Sequence, residues 1–185
     1  QFTIQTRPVD KREHLIKRCV GMPGDKIGMK EGVLFVNDKP GFVAPESQMD
    51  YIVITDETGL DEQRLKDMGI EVSPIQPGAY LIFLTQEQAA MVKSWPNVKS
   101  MQMNLEKPGV AQANTFPNDP QYKWNYDNFG PLVIPKKGMT IPLNAQTFPL
   151  YERAIRVYEK NQLEKKSDGF YINGNRTDSY TFKMD

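Results

Sequence analysis

Lys17-Arg18-Cys19-Val20-Gly21-Met22-Pro23-Gly24-Asp25-Lys26-Ile27-Gly28-Met29 is the stretch on which the reading of the fold turns. Two glycines and a proline between Gly21 and Asp25 demand a tight, fixed turn. Upstream, Leu15 to Val20 reads as a strand entering that turn. Downstream, Gly32-Val33-Leu34-Phe35-Val36 reads as another strand, leading into a polar turn at Asn37-Asp38. Residues 1–45 are therefore expected to form a hairpin-rich fragment of an antiparallel sheet.

Beyond it the pattern changes to strands alternating with helices. Tyr51 to Thr55 reads as a strand, and Leu60 to Met68 as a short helix stopped by Gly69. Ile70 to Val72 is extended, the prolines Pro74 and Pro77 are expected to make a turn, and Ala79 to Leu84 is a buried strand. Thr85 then caps a helix reaching about Trp95, with Gln88 as its reciprocal partner, and Val98 to Leu105 closes the series as a strand. Strand, helix, strand, strand, helix, strand is the order of a split βαβ, ferredoxin-like unit. Lys107 to Gln121, rich in Pro, Gly, Asn and Gln, reads as a loop, and Tyr122, Trp124 and Tyr126 as one face of a returning strand. Thr147 and Pro149 open a helix with Tyr151, Ala154, Ile155 and Tyr158 on one face. Phe170-Tyr171-Ile172 followed by Asn173-Gly174 is a hairpin signal. The expected class is mainly β with an α+β insertion. Its parts are a partial core at 1–45, an inserted subdomain at 46–110, a loop and return at 111–146, and a helix plus hairpin at 147–185.

Composition narrows the function. Of 185 residues, 39% are hydrophobic and 25% charged, as in an ordinary folded protein. Twenty-three Lys plus Arg balance 23 Asp plus Glu, so no net field favours nucleic acid, which is not an expected partner. The longest apolar stretch, Ala79 to Leu84, falls far short of the roughly 20 residues that span a bilayer. One cysteine, Cys19, and one histidine, His14, give neither an intrachain disulfide nor a usual zinc site. The chain opens on Gln1-Phe2-Thr3-Ile4 and stops at a strand-like run ending in Asp185, so both ends are expected to be excisions from a longer protein.

Lys17 carries the chemical interest. In a strand it shares a face with Leu15 and Cys19, while Ile16 and Arg18 face the other way. Apolar neighbours disfavour a charged amine, which is how a lysine becomes a general base able to take a proton from a hydroxyl. The residues alone favour an edge-strand lysine reaching out to water. His14 has no Ser/Asp partner pattern, Cys19 is expected to be an inert buried thiol, and Asn175-Arg176-Thr177 matches a glycosylation acceptor of a kind common by chance.

The run from Lys17 to Met29 resembles the lysine-bearing signature of type I signal peptidases, in which Lys-Arg and two small or apolar residues precede Gly-x-Pro-Gly-Asp. Gly32 to Asn37 resembles the hairpin that follows it, and Phe129 to Gly138 the approach to the last conserved strand. No likeness is read over residues 46–120. The resemblance implies an antiparallel β catalytic core and a membrane-bound serine endopeptidase that removes signal peptides through a Ser/Lys dyad, with no cofactor or metal. It implies Lys17 as general base and Leu15 and Ile16 lining shallow pockets for small substrate side chains. Arg18 would be a structural cation, and Gly21, Pro23, Gly24 and Asp25 the turn that holds the strand. It implies signal peptides of exported preproteins as partners, an anchor absent from this chain, and a place on the periplasmic side of a bacterial inner membrane. The family's Ser-x-Met-x-Pro nucleophile motif does not precede Lys17; Ser47-Gln48-Met49 follows it and reaches no proline. Gly174-Asn175-Arg176 echoes the closing Gly-Asp-Asn-Arg motif without its Asp, so that motif is expected beyond Asp185 and the chain alone is expected to be inactive. Two other readings remain: a non-enzymatic periplasmic interaction module on the same sheet, and a self-cleaving Ser/Lys protease of the repressor type, which the Gly-x-Pro-Gly-Asp turn disfavours.

Overall fold

A computed structural model of the chain describes residues 17–184. Among these the class is mainly antiparallel β with a few short helices, as expected. The chain first forms β1 (Lys26–Lys30), β2 (Val33–Val36) and β3 (Lys39–Pro40), an antiparallel meander. Its two connections are two-residue turns with positive φ throughout, 49° and 76° at Glu31-Gly32 and 51° and 65° at Asn37-Asp38. That is the turn geometry whose twist matches the flanking strands.

Next come β4 (Met49–Thr55), α1 (Glu62–Asp67), β5 (Val72–Gln76), β6 (Ala79–Leu84), α2 (Gln86–Lys93) and β7 (Val98–Met103). They build one sheet in the order β5-β6-β4-β7 with every neighbour antiparallel. Each helix thus carries the chain past one intervening strand, the split βαβ arrangement. The Asp61 side chain accepts the Arg64 N–H at 2.9 Å to start α1. Thr85 and Gln88 close a full capping box on α2, at 3.2 and 3.0 Å. Val53, Ile82 and Leu84 on one sheet face meet Leu65 from α1 and Ala89 and Val92 from α2, with Trp95 closing the end. Pro74 lies within β5 rather than in the expected turn. An outer strand tolerates the missing N–H, and Pro77-Gly78 alone turns the chain.

The loop that follows is organised by Asn125, 1% exposed. Its amide donates to Lys107 O and Val110 O at 2.9 Å each, and its oxygen accepts from Asp127 N and Asn128 N at 3.1 and 2.7 Å. With its side chain so committed, the segment 122–126 is not the expected strand. Tyr122, Trp124 and Phe129 instead pack in series as tilted rings, each centroid 4.6 Å from the next. β8 (Phe129–Val133) then pairs antiparallel with β1, completing a sheet ordered β3-β2-β1-β8.

The remainder forms β9 (Thr140–Pro142), α3 (Phe148–Arg153), β10 (Leu163–Lys166), β11 (Gly169–Ile172), β12 (Asn175–Arg176) and β13 (Ser179–Thr181). A second core gathers Ile141, Leu143, Tyr151, Ile155, Leu163, Tyr180 and Phe182. α3 passes into a π-helical turn, Ala154–Tyr158, closed by Glu159 N–H to Ala154 O at 3.0 Å. This wider turn rotates Tyr158 off the face that Tyr151 and Ile155 bury, leaving it 62% exposed instead of in the expected apolar stripe. The Asn173-Gly174 hairpin forms between β11 and β12, with φ of 51° and 82°.

Candidate functional site

Of the residues singled out in the lysine run, Leu15 and Ile16 lie outside the described residues, as does His14. Lys17 to Val20 are exposed and carry no strand, and the first ladder pair begins only at Lys26. The expected strand placing Lys17 among apolar neighbours is therefore not present in its described half. Cys19 is exposed rather than buried, its thiol donating to Gly21 O at 3.3 Å. Arg18 has no acidic partner among the described residues.

From Gly21 onward the run is rigid, for reasons its residue types supply. A Cβ on Gly21 would stand 2.6 Å from Ile134 Cδ1 and 2.8 Å from Ile27 Cγ2, so only glycine lets the chain pass between them. Gly24 sits at φ +90°, open to glycine without strain. Its N–H donates to Ile134 O at 2.9 Å, and Ile134 N–H returns to Asp25 O at 2.8 Å, which zips the turn to the chain just past β8. Asp25 closes the turn twice. One carboxylate oxygen accepts Met22 N–H at 2.8 Å and the other accepts the Asn37 amide at 2.8 Å. Asn37 in turn accepts Lys26 N–H at 3.0 Å. The Met22 N–H, and after it the Asn37 amide, hold the Asp25 carboxyl below its ordinary value. Gly21, Gly24 and Asp25 thus occupy a single structural device, and Pro23 lies within it. The Asn37 contribution is invisible in the sequence except as a turn residue.

Beside this device the sheet carries open apolar space. A cleft of about 480 Å³ follows β1 and β8, lined by Ile27, Met29, Phe35, Phe129 and Pro131 among others. A smaller one of about 300 Å³ shares Ile27 and Met29 and adds Val20, Leu34, Thr115 and Phe116. The Thr115 hydroxyl is buried without a partner among the described residues. No residue of β1 or β2 is fully buried, so this sheet presents apolar side chains where the two cores do not. Ser47 stands in a short turn, its N–H bonded to Ala44 O at 2.9 Å. Among the described residues no group of three or more His, Cys, Asp or Glu could hold a metal ion, and no helix is long and apolar enough to cross a membrane.

The family model for signal peptidase, peptidase S26, matches residues 3–90. That span contains the whole lysine run, its turn and the β1–β3 meander, so the resemblance read from those residues is shown over it. The match also takes in residues 46–90, where the sequence reading found no likeness. No curated protein and no solved structure matches the chain.

Proposed function

From this relation to the signal peptidases over residues 3–90, we propose that the chain is the extracytoplasmic part of a type I signal peptidase, with Lys17 as its general base. The observation that carries the reading is the Asp25-locked turn. It fixes the exit of the lysine run against both β1 and the chain past β8, beside apolar clefts able to take an extended peptide. The substrates are signal peptides of exported preproteins, and Leu15 and Ile16 line the pockets for their small side chains. In the reaction a serine oxygen attacks the scissile carbonyl carbon while the Lys17 amine takes the hydroxyl proton. The carbon–nitrogen bond breaks as that proton passes to the leaving amine, and water then cleaves the acyl-enzyme. The nucleophile in this reading is the serine of a Ser-x-Met-x-Pro run, a motif these 185 residues do not contain, and they do not cleave by themselves. In this reading residues 1–45 belong to the catalytic core, 46–110 are an insertion, 111–146 return to the core and 147–185 form a helix plus β-hairpin. An anchor outside the chain holds it on the periplasmic face of a bacterial inner membrane.

The exposure of Lys17 to Val20 favours a second reading, a non-enzymatic interaction module on the same sheet. One experiment separates them. In the protein extended to include a Ser-x-Met-x-Pro segment, Lys17→Ala and Lys17→Arg are assayed on a signal-peptide substrate, with circular dichroism to confirm folding. A guanidinium cannot act as a base at neutral pH, so both variants lose cleavage if Lys17 is the base. Near-normal cleavage by Lys17→Arg removes Lys17 from the mechanism, and no cleavage by the unmutated extended protein leaves the module reading.

A further inference from the structure

A further groove adjoins the second core and meets the smaller cleft of the lysine-run sheet at Phe116, which lines both. It holds about 750 Å³ between the 116–117 segment, α3 with its π-helical turn, and β10. Phe116, Pro117 and Val157 give it an apolar floor, and Phe116 and Val157 are 41% and 58% exposed.

β10 is the outer strand of its sheet, and its register fixes which backbone groups are spent. Asn173 N–H donates to Gln162 O at 2.8 Å, and the pairs Leu163↔Ile172, Glu164↔Tyr171 and Lys165↔Phe170 follow. Hydrogen-bonded and non-bonded pairs alternate along an antiparallel ladder, so Gln162 and Glu164 bond toward β11. Leu163 and Lys165 point their N–H and C=O groups the opposite way, and neither has a backbone partner there among the described residues. Leu163 as a whole is 6% exposed and belongs to the second core, yet it lines the groove. The strand contains no proline to remove a donor.

Charge selects what can lie in the groove. Arg156 is paired with Glu152 at 2.5 Å, and Lys166 with Glu164 at 3.1 Å. Arg153 lines the groove with no acidic partner among the described residues, and the Lys165 ammonium rests 6.0 Å from the Phe148 ring, likewise without an acid. The charges left over are positive.

We propose that this groove binds an extended acidic peptide segment, which adds to β10 as a further strand. Its backbone meets the free groups of Leu163 and Lys165, its apolar side chains cover Phe116 and Val157, and its carboxylates face Arg153 and Lys165. This is strand addition, in which the main chain supplies affinity and flanking side chains supply choice. The proposal does not depend on the peptidase reading.

The test uses the whole 185-residue chain and a fluorescent acetyl-Val-Glu-Val-Glu-Val-amide probe. Saturable binding is expected, with slowed hydrogen exchange at the Leu163 and Lys165 amides. Replacing both probe glutamates by lysine, or N-methylating the amides that face β10, each weakens binding by about tenfold or more. Arg153→Glu, a surface change, weakens the glutamate probe and strengthens the lysine probe, with Lys165→Glu as a second variant. Equal binding of the N-methylated probe overturns the strand, and equal binding of the lysine probe overturns the acidic partner. Absence of saturation overturns the site. A dimer in sedimentation that the probe dissociates assigns the groove to a second copy instead and overturns the proposal.

Discussion

Asp25 and Asn37, 12 residues apart, are joined side chain to side chain at 2.8 Å, so the turn leaving the lysine run and the turn between β2 and β3 are one hydrogen-bonded unit. Lys26 N–H bonded to Asn37 Oδ1 and Met22 N–H bonded to Asp25 Oδ2 complete it. Asp25→Ala therefore frees both turns at once. Its effect is expected as faster amide exchange at Met22 and Lys26 and a lower melting temperature, while the β4–β7 sheet stays protected. Because the folded carboxyl is held below its ordinary value of 3.8, the stabilisation is whole above that pH and is lost as pH falls below it. A melting temperature with the same acid dependence in the wild type and Asp25→Ala would remove Asp25 from that role.

The end of the π-helical turn supplies a second pH-dependent contact. Glu159 accepts the Tyr180 hydroxyl, Lys183 N–H at 2.7 Å and Met184 N–H at 2.8 Å, while Asn161 donates to the Tyr180 oxygen at 2.7 Å. Burial, then the Glu159 bond and charge, push the Tyr180 phenol up to about 12. Burial alone would raise the Glu159 carboxyl, but the bonds from Tyr180, Met184 and Lys183 together outweigh it and hold it below its ordinary 4.5. The contact is therefore intact on a plateau, failing as pH drops below that carboxylate value and as pH rises from 10 through about 12. Tyr180→Phe should cost about 1.5–3 kcal/mol in urea unfolding at neutral pH, the range for a bond to a charged group. Ultraviolet titration should lose one late-titrating tyrosine in that variant; an unchanged alkaline titration would refute the assignment.

Leu65 and Ile82 are fully buried in the first core, and Tyr151 and Ile155 anchor the second, with no residue common to the two clusters. Leu65→Ala should destabilise the split βαβ unit by about 2–5 kcal/mol through lost burial and a residual cavity. Native-state hydrogen exchange should show the loss at Val53 and Ile82 and leave Tyr151 and Ile155 unchanged. An equal loss in both regions would mean that the cores unfold as one.

What the sequence made legible was local. Thr85 and Gln88 bond within one helical turn, and Asn173-Gly174 needs only its own two dihedrals, so residue types sufficed. Residues whose structure depends on distant partners were not readable. Asn125 takes partners from Lys107 to Asn128, and the π-helical turn is held where Asn161 N–H meets Ile155 O at 3.1 Å and where Glu159 is bound by residues 180–184. The regular spacing of Tyr151, Ile155 and Tyr158 carries no trace of that. At the candidate site the turn glycines and Asp25 were legible because a turn dictates its residues. The surroundings of Lys17 were not, since what packs on an extended segment is set by chain remote in sequence.

Four outer strands each carry a proline: Pro40 in β3, Pro74 in β5, Pro131 in β8 and Pro142 in β9. A sheet margin is where one protein molecule can recruit another into an unwanted fibre, and an imide nitrogen there leaves the newcomer's carbonyl unanswered. Both margins of the β3-β2-β1-β8 sheet and one margin of the β5-β6-β4-β7 sheet are blunted in this way, despite the apolar side chains they adjoin. The first of these sheets can thus stay greasy on its face without its margins becoming a seed for aggregation.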